Sequence, residues 1–241
     1  IGSTSVRGLH HLVYEVVDNS VDEALAGYAT HIEVSINEDN SITVVDDGRG
    51  IPTGMHESGM SAVELVLTKL HAGGKFGGGG YKVSSGLHGV GSSVVNALST
   101  RMIAEVRKNG KIYRQEYATG MPQTELEVVG KSDDSGTTIT FYPDPTIFKE
   151  TVNFDYKWVV NYLRHQAYLT KGIHTSVIDE RTGERKAFYF EGGIQSYVKN
   201  LNIGKDVLSD DIFYVEKQVE DCMVEIAVQY NDTYAEVVKP F

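Results

Sequence analysis

Glu15-Val16-Val17-Asp18-Asn19 is followed by Asp46-Asp47-Gly48-Arg49-Gly50 and then by Gly86-Leu87-His88-Gly89-Val90-Gly91. The first stretch carries a carboxylate and an amide one helical turn apart. With Glu15 at 0° and a step of about 100° per residue, Asn19 falls near 40°, Asp22 near −20° and Glu23 near 80°. Val13, Ala24 and Val17 fall on the far side, so residues 8–26 read as an amphipathic helix with one polar face. Alone, that face reads more readily as a solvated surface, as on most surface helices.

The second stretch ends a hydrophobic strand and continues through Ile51 and Pro52. A carboxylate at a strand end, backed by glycines, can face a flat ligand. It is an acceptor only, which suits the amino group of adenine and not the corresponding edge of guanine. Losing such a buried partner costs about 1–3 kcal/mol. In the third stretch, glycines let backbone approach phosphate, and the helix that begins near Ser92 turns its N–H groups toward it. Taken singly, the second stretch is also a glycine turn and the third a hinge. Their order and spacing argue for a nucleotide site.

That site has no Walker frame. Lys75 lies in Gly73-Gly74-Lys75-Phe76, where Phe76 occupies the Ser/Thr position. No dinucleotide-binding βαβ unit surrounds the glycines. Lys75 reads either as a point charge for phosphate or as a solvated loop lysine.

The chain has 241 residues, 41% hydrophobic and 23% charged, with a net charge of −11. This suffices for one large domain, or one domain and part of a second. The acidic balance argues against holding nucleic acid by itself. The single cysteine, Cys222, excludes a disulfide framework and points to a reducing, cytoplasmic compartment. No apolar run approaches the roughly 18 residues that span a bilayer, so no membrane role is expected. The start at Ile1-Gly2 and the end just after a strand pattern read as trimmed ends.

Strand patterns at 31–36 and 42–45 form a hairpin. Ser61 caps a helix to about His71, with Glu64 completing a capping box. Residues 72–91 are the most glycine-rich stretch and read as a loop, followed by a short helix over 92–98. Asn109-Gly110 is a hairpin turn between strands at 102–107 and 111–117. Strands follow at 124–130 and 137–142, a helix at 154–169, strands at 173–179 and 186–190, a helix at 193–201, and strands at 211–217 and 222–230. Hairpins mixed with helices predict an α+β fold: a mixed sheet with helices on one face. A boundary near residue 205 divides 1–205 from the first strands of a second domain at 206–241.

On these stretches the chain resembles the ATPase domain of the GHKL superfamily, with its Bergerat two-layer sandwich. Within it, the chain resembles the ATPase subunits of bacterial type II DNA topoisomerases. The matching runs are Gly8 to Asn19, Val21 to Gly27, Asp46 to Thr53, Leu70 to Phe76 and Tyr81 to Ala97, with weaker matches at Gly136-Thr137, Tyr189 to Gly193 and Gln229 to Asp232. They cover essentially the whole chain. Asp46-Asp47, Tyr81 to Ser84 and Glu191 to Ile194 lean to the gyrase B type; Thr53 to His56 lean to the topoisomerase IV type. The balance falls to gyrase B. Ser85 stands where glycine is expected.

The resemblance implies roles. Glu15 is the general base that polarises water toward the γ-phosphate of ATP, and Asn19 is a ligand of Mg²⁺. Asp46 reads adenine, with Thr137 supporting the same edge through water. Lys75 and Tyr81 belong to the lid. Gly86, Leu87, His88, Gly89, Val90, Gly91 and Ser92 cradle the triphosphate. Asp22, Glu23, Arg49, Gly50, Ile51, Pro52 and Arg114 line or border the pocket, with Arg49 and Arg114 on the rim used by aminocoumarin-type inhibitors. The second domain is of the transducer type. ATP would drive self-dimerisation, strand passage in DNA through the full enzyme, and work with a gyrase A type partner subunit. An N-terminal arm and a transducer lysine are not in this sequence, so weak turnover and a monomer are expected of this piece. Other GHKL machines (a heat-shock chaperone, a MutL-type repair protein, a sensor histidine kinase) fit Leu70 to Phe76 and the Gly86 to Gly91 run less well. A nucleotide sensor without turnover is the alternative of a different class; a DNA-binding domain is disfavoured by the charge.

Overall fold

In a computed structural model that describes residues 2–70, 91–220 and 222–241, the polar-faced helix is α1 (Val6–Leu25). It is followed by β1 (His31–Ile36) and β2 (Ile42–Asp46), which pair antiparallel as the alternation predicts. In α2 (Ala62–Thr68), the amide of Glu64 donates to the Ser61 side chain at 3.1 Å, which satisfies an orphan N–H of the first turn. Next come α3 (Gly91–Ala97), β3 (Ser99–Lys108) and β4 (Lys111–Ala118). Asn109 and Gly110 both have positive φ, 53° and 76°, which matches the twist of the hairpin they join. The sequence pattern did not indicate the two-residue strand β5 (Met121–Pro122), and β6 (Glu127–Gly130) is shorter than expected.

The remaining elements are β7 (Gly136–Pro143), α4 (Tyr156–Leu169), β8 (His174–Asp179), β9 (Glu184–Tyr189), α5 (Ile194–Leu201), β10 (Phe213–Val219) and β11 (Cys222–Val228). Asp155 caps α4 by accepting from the amides of Lys157 and Trp158. The main sheet runs β5-β4-β3-β7-β2-β1-β8-β9, with β6 added on β4. Among the described residues only β1 and β8 pair in parallel, so the sheet is mixed. β10 and β11 form a separate antiparallel pair.

Period-two alternation sorts the two faces. Ile32, Val34 and Ile36 of β1, Ile42 and Val44 of β2, Met102, Ala104 and Val106 of β3, and Ile139 and Phe141 of β7 are all buried. They meet Leu9, Leu12, Val13, Val16, Val17 and Val21 of α1 and Val159, Leu163 and Ala167 of α4. Each of these side chains larger than alanine contributes about 1.5–3 kcal/mol through burial. The helical layer therefore covers one face, as expected. Among the described residues no helix is long and apolar enough to cross a membrane.

Two ties orient α1 within this layer. Asp18, next to Asn19 in sequence, turns toward α4. There it accepts a short hydrogen bond from the Tyr162 hydroxyl and one from Gln166 Nε2 at 3.3 Å. Burial pushes its carboxyl up to about 6, against the Tyr162 hydrogen bond. His10, fully buried, bridges Val6 O through Nδ1 and the amide of Asp155 through Nε2, each at 2.8 Å.

Candidate functional site

Helix α1 meets three other segments in succession along its length. At the first, Glu15 lies against the backbone of Gly91: a Cβ added there would stand 2.4 Å from Glu15 Oε2. One turn further, Asn19 Nδ2 donates to Glu15 O at 2.9 Å and to Ser92 Oγ at 2.7 Å. The start of α3 is thus joined to the Glu15–Asn19 pair. Both amide hydrogens of Asn19 are engaged, so what it has to offer a ligand is its carbonyl oxygen.

The second contact is with the end of β2. Asp46 follows Ile42 and Val44 on the helix-facing side by alternation, so a carboxylate is carried into the core layer at 7% exposure. Its Oδ2 accepts from Ser20 Oγ at 2.9 Å, and its Oδ1 accepts from the amides of Gly48 at 3.0 Å and Thr137 at 3.1 Å. Burial raises the Asp46 carboxyl above the ordinary carboxylate value, although these three donors pull it down. Gly136 makes the approach of β7 possible: its φ is 142°, and a Cβ there would stand 2.0 Å from Asp46 O. Arg107 holds that same carbonyl, donating from one nitrogen to Asp46 O at 2.7 Å and from another to Thr138 Oγ1 at 2.9 Å.

At the third contact Glu23 grips Arg49. Glu23 Oε2 accepts from the Arg49 amide and Nε, both at 3.0 Å, and Oε1 accepts from a terminal guanidinium nitrogen at 2.8 Å. Gly50 has a φ of 70°, and a Cβ on it would meet Arg107 O and Val106 Cγ1 at 3.0 Å, so glycine suits the turn. Lys108 Nζ donates to the carbonyls of Arg49 and Gly50. Ile51 is half-buried against the core and Pro52 is exposed.

Glu15, Asn19, Glu23, Asp46, Arg49, Gly50, Gly91, Ser92 and Thr137 are thus brought together. Arg114 is not. It pairs with Glu105 across β3 and β4, and its guanidinium binds Glu116 at 2.7 Å and Glu105 at 3.8 Å. Alternation sets Glu105 and Arg114 on the face opposite Val106 and Asp46. Lys108, on the Val106 face, occupies the rim instead. This corrects the expectation for Arg114, and the reason is strand register. Asp22, expected on the open polar face, is buried at 9% exposure. Lys75, Tyr81, Gly86, Leu87, His88, Gly89 and Val90 lie outside the described residues.

Ser20, Arg107, Lys108 and Gly136 were not singled out from sequence as site residues. For Ser20 a signal exists: it falls near 140° on the helical wheel, a hydroxyl within the apolar stripe. A polar group there must find a buried partner, and that partner is Asp46.

Residues 4–147 match the model of the histidine kinase-, DNA gyrase B-, and HSP90-like ATPase family. The chain is 56% identical over 244 residues to the DNA gyrase B protein of Streptococcus pneumoniae, covering 100% of this chain and 38% of that protein. It is 54% identical over 237 residues to the DNA gyrase B protein of Enterococcus faecalis, covering 97% and 37%. The chain thus spans less than two-fifths of the length of these curated relatives. A crystal structure of the 43K ATPase domain of Thermus thermophilus gyrase B in complex with an aminocoumarin superimposes with a TM-score of 0.87 at 40% identity, covering 98% of this chain and 60% of that one. These relatives lie on the gyrase B side, to which the sequence leaned. The chain belongs to the histidine kinase-, DNA gyrase B-, and HSP90-like ATPase family.

Proposed function

We propose that this chain is the ATP-binding and ATP-hydrolysing part of a gyrase B type II DNA topoisomerase. The observation that carries the reading is the buried Asp46 carboxylate, set among three donors at the end of β2. Its environment leaves it an acceptor for the amino group of adenine. Glu15 is the base that polarises the attacking water, and the backbone contact with Gly91 sets its direction. A positioned base of this kind contributes about 10²–10⁴-fold.

Mg²⁺ fits the donor set. Asn19 supplies one hard oxygen, and among the described residues no group of three or more His, Cys, Asp or Glu is arranged to hold a metal. An ion with one protein oxygen takes its other ligands from water and phosphate. When bound, it would neutralise charge on the phosphates. Asn19 would orient it, and Ser92 fixes the Asn19 amide. Ser92 and Gly91 would then face the triphosphate, and the resemblance assigns the preceding glycine run, Lys75 and Tyr81 to the same ligand.

In the same reading, residues 206–241 begin a transducer domain, supported by the separate pairing of β10 with β11. The whole protein would be cytoplasmic. It would dimerise on ATP, work with a gyrase A type subunit on DNA, and take aminocoumarin-type inhibitors at the rim. Titration of a non-hydrolysable ATP analogue with Mg²⁺ into this chain, beside an aminocoumarin, tests the reading. Saturable binding of both, each displacing the other, supports one shared pocket; a chain that takes up neither ends the proposal.

A further inference from the structure

The C-terminal end of α1 is closed by a paired cap. The amide of Gly27, at φ 79°, donates to Ala24 O, and the amide of Tyr28 donates to Glu23 O, both at 2.9 Å. This is the Schellman arrangement, in which the residue after the glycine is swung back over the last turn. Here that residue is Tyr28, and the turn is the one carrying Glu23. The Arg49 guanidinium carbon lies 3.7 Å from the centroid of the Tyr28 ring. Glu23 holds the edge of the same guanidinium at two nitrogens, and Lys108 holds the Arg49 carbonyl.

A fork on one edge leaves a planar cation able to rock about the line through the fork. A ring against its face restricts that motion. We infer that Tyr28 is a positioning residue that sets the plane of the Arg49 guanidinium at the mouth of the nucleotide site, favouring flat aromatic ligands that reach over that mouth. The inference rests on the functional reading above. A planar guanidinium of fixed orientation is a stacking platform for aromatic rings. Adenine is read at its edge by Asp46 and does not depend on that platform. Tyr28 is therefore a specificity determinant that separates two ligand classes in one pocket. It acts through Arg49 without entering the chemistry.

The test is calorimetric titration of the chain, as wild type, Tyr28→Phe, Tyr28→Leu and Tyr28→Ala, with an aminocoumarin and, separately, with a non-hydrolysable ATP analogue and Mg²⁺. Tyr28→Ala is expected to weaken the aminocoumarin about 5-fold, the scale of one cation–π contact, and the analogue less than about 2-fold on that scale. Tyr28→Phe should restore wild-type values. Tyr28→Leu, which keeps apolar cover without a ring, should behave as Tyr28→Ala and serves if the alanine variant does not fold. Equal loss for both ligands, no loss for either, or a phenylalanine variant as weak as alanine would overturn the inference. A wild-type chain that binds neither ligand overturns the functional reading itself, which is a different result from an unmoved ratio.

Discussion

The backbone amide of Thr137 donates to Asp46 Oδ1 at 3.1 Å, although 91 residues separate the two in sequence. Ser20 and Gly48 donate to the same carboxylate. The two partners on Oδ1 are backbone amides that can only donate, so Asp46→Asn keeps its amide oxygen there and turns N–H₂ to the Oδ2 side, replacing an acceptor by a donor. Calorimetry of the ATP analogue should show about a 5- to 150-fold loss of affinity, since an unsatisfied buried group costs about 1–3 kcal/mol. Undiminished binding by the Asn variant would remove adenine reading from Asp46.

Glu15 separates an ATPase from a sensor. In the intact protein, Glu15→Ala should bind the analogue within about 3-fold of wild type while phosphate release falls about 10²–10⁴-fold, the range for a positioned base. A variant that releases phosphate at the wild-type rate would assign the base elsewhere.

Lys108 holds the turn at Arg49 and Gly50, whereas Arg114 is tied to Glu105 and Glu116 on the other face of the sheet. Lys108→Ala should weaken an aminocoumarin by about 10-fold, on the scale of one hydrogen bond to a charged group, about 1.5 kcal/mol. Arg114→Ala should leave that affinity nearly unmoved. The reverse ranking, measured in one displacement assay, would restore Arg114 to the rim.

His10 predicts how stability varies with pH. Burial lowers its folded-state pKa below the ordinary histidine value, outweighing the hydrogen bond to Val6 and the charge of Asp155. Below about pH 6.5 the unfolded chain takes up a proton that the folded chain refuses. The contribution is therefore complete above that value and is lost as pH falls through it. Denaturant unfolding at pH 5.5 and 7.5 should show wild type losing more stability at the lower pH than His10→Gln does, with the raised Asp18 carboxyl acting in the opposite sense in both. The readout is built in: His10 packs 4.6 Å from Trp158, the single tryptophan. An unchanged slope in the variant would place the pH dependence in other groups.

The sequence made the strands and helices legible because alternation and helical period carry that information locally. Glu15, Asn19 and Glu23 were legible for the same reason, since one helix fixes their relation. Arg114 and Lys108 show where local reading stops. Both are cations on one hairpin, and only the register of β3 against β4, together with the face that meets α1, tells them apart. Ser20 needed a partner from another element before its hydroxyl made sense. Gly136 is defined by a backbone approach between β7 and β2 that no residue near it in sequence announces.

The sheet order has a meaning for synthesis. β7 lies between β2 and β3, two elements made before it. A growing chain that has just emitted Lys108 already carries Glu15, Asn19, Glu23, Asp46 and Arg49, yet the strand that completes the surroundings of Asp46 does not exist. The pocket is thus a late event, closed by insertion of a central strand and not by extension of an edge. Long-range pairing of this kind slows folding. A nascent or truncated chain ending before Gly136 would hold Glu15, Asn19, Glu23, Asp46 and Arg49 but not Thr137, and on the proposed reading it would lack the strand that completes the adenine pocket.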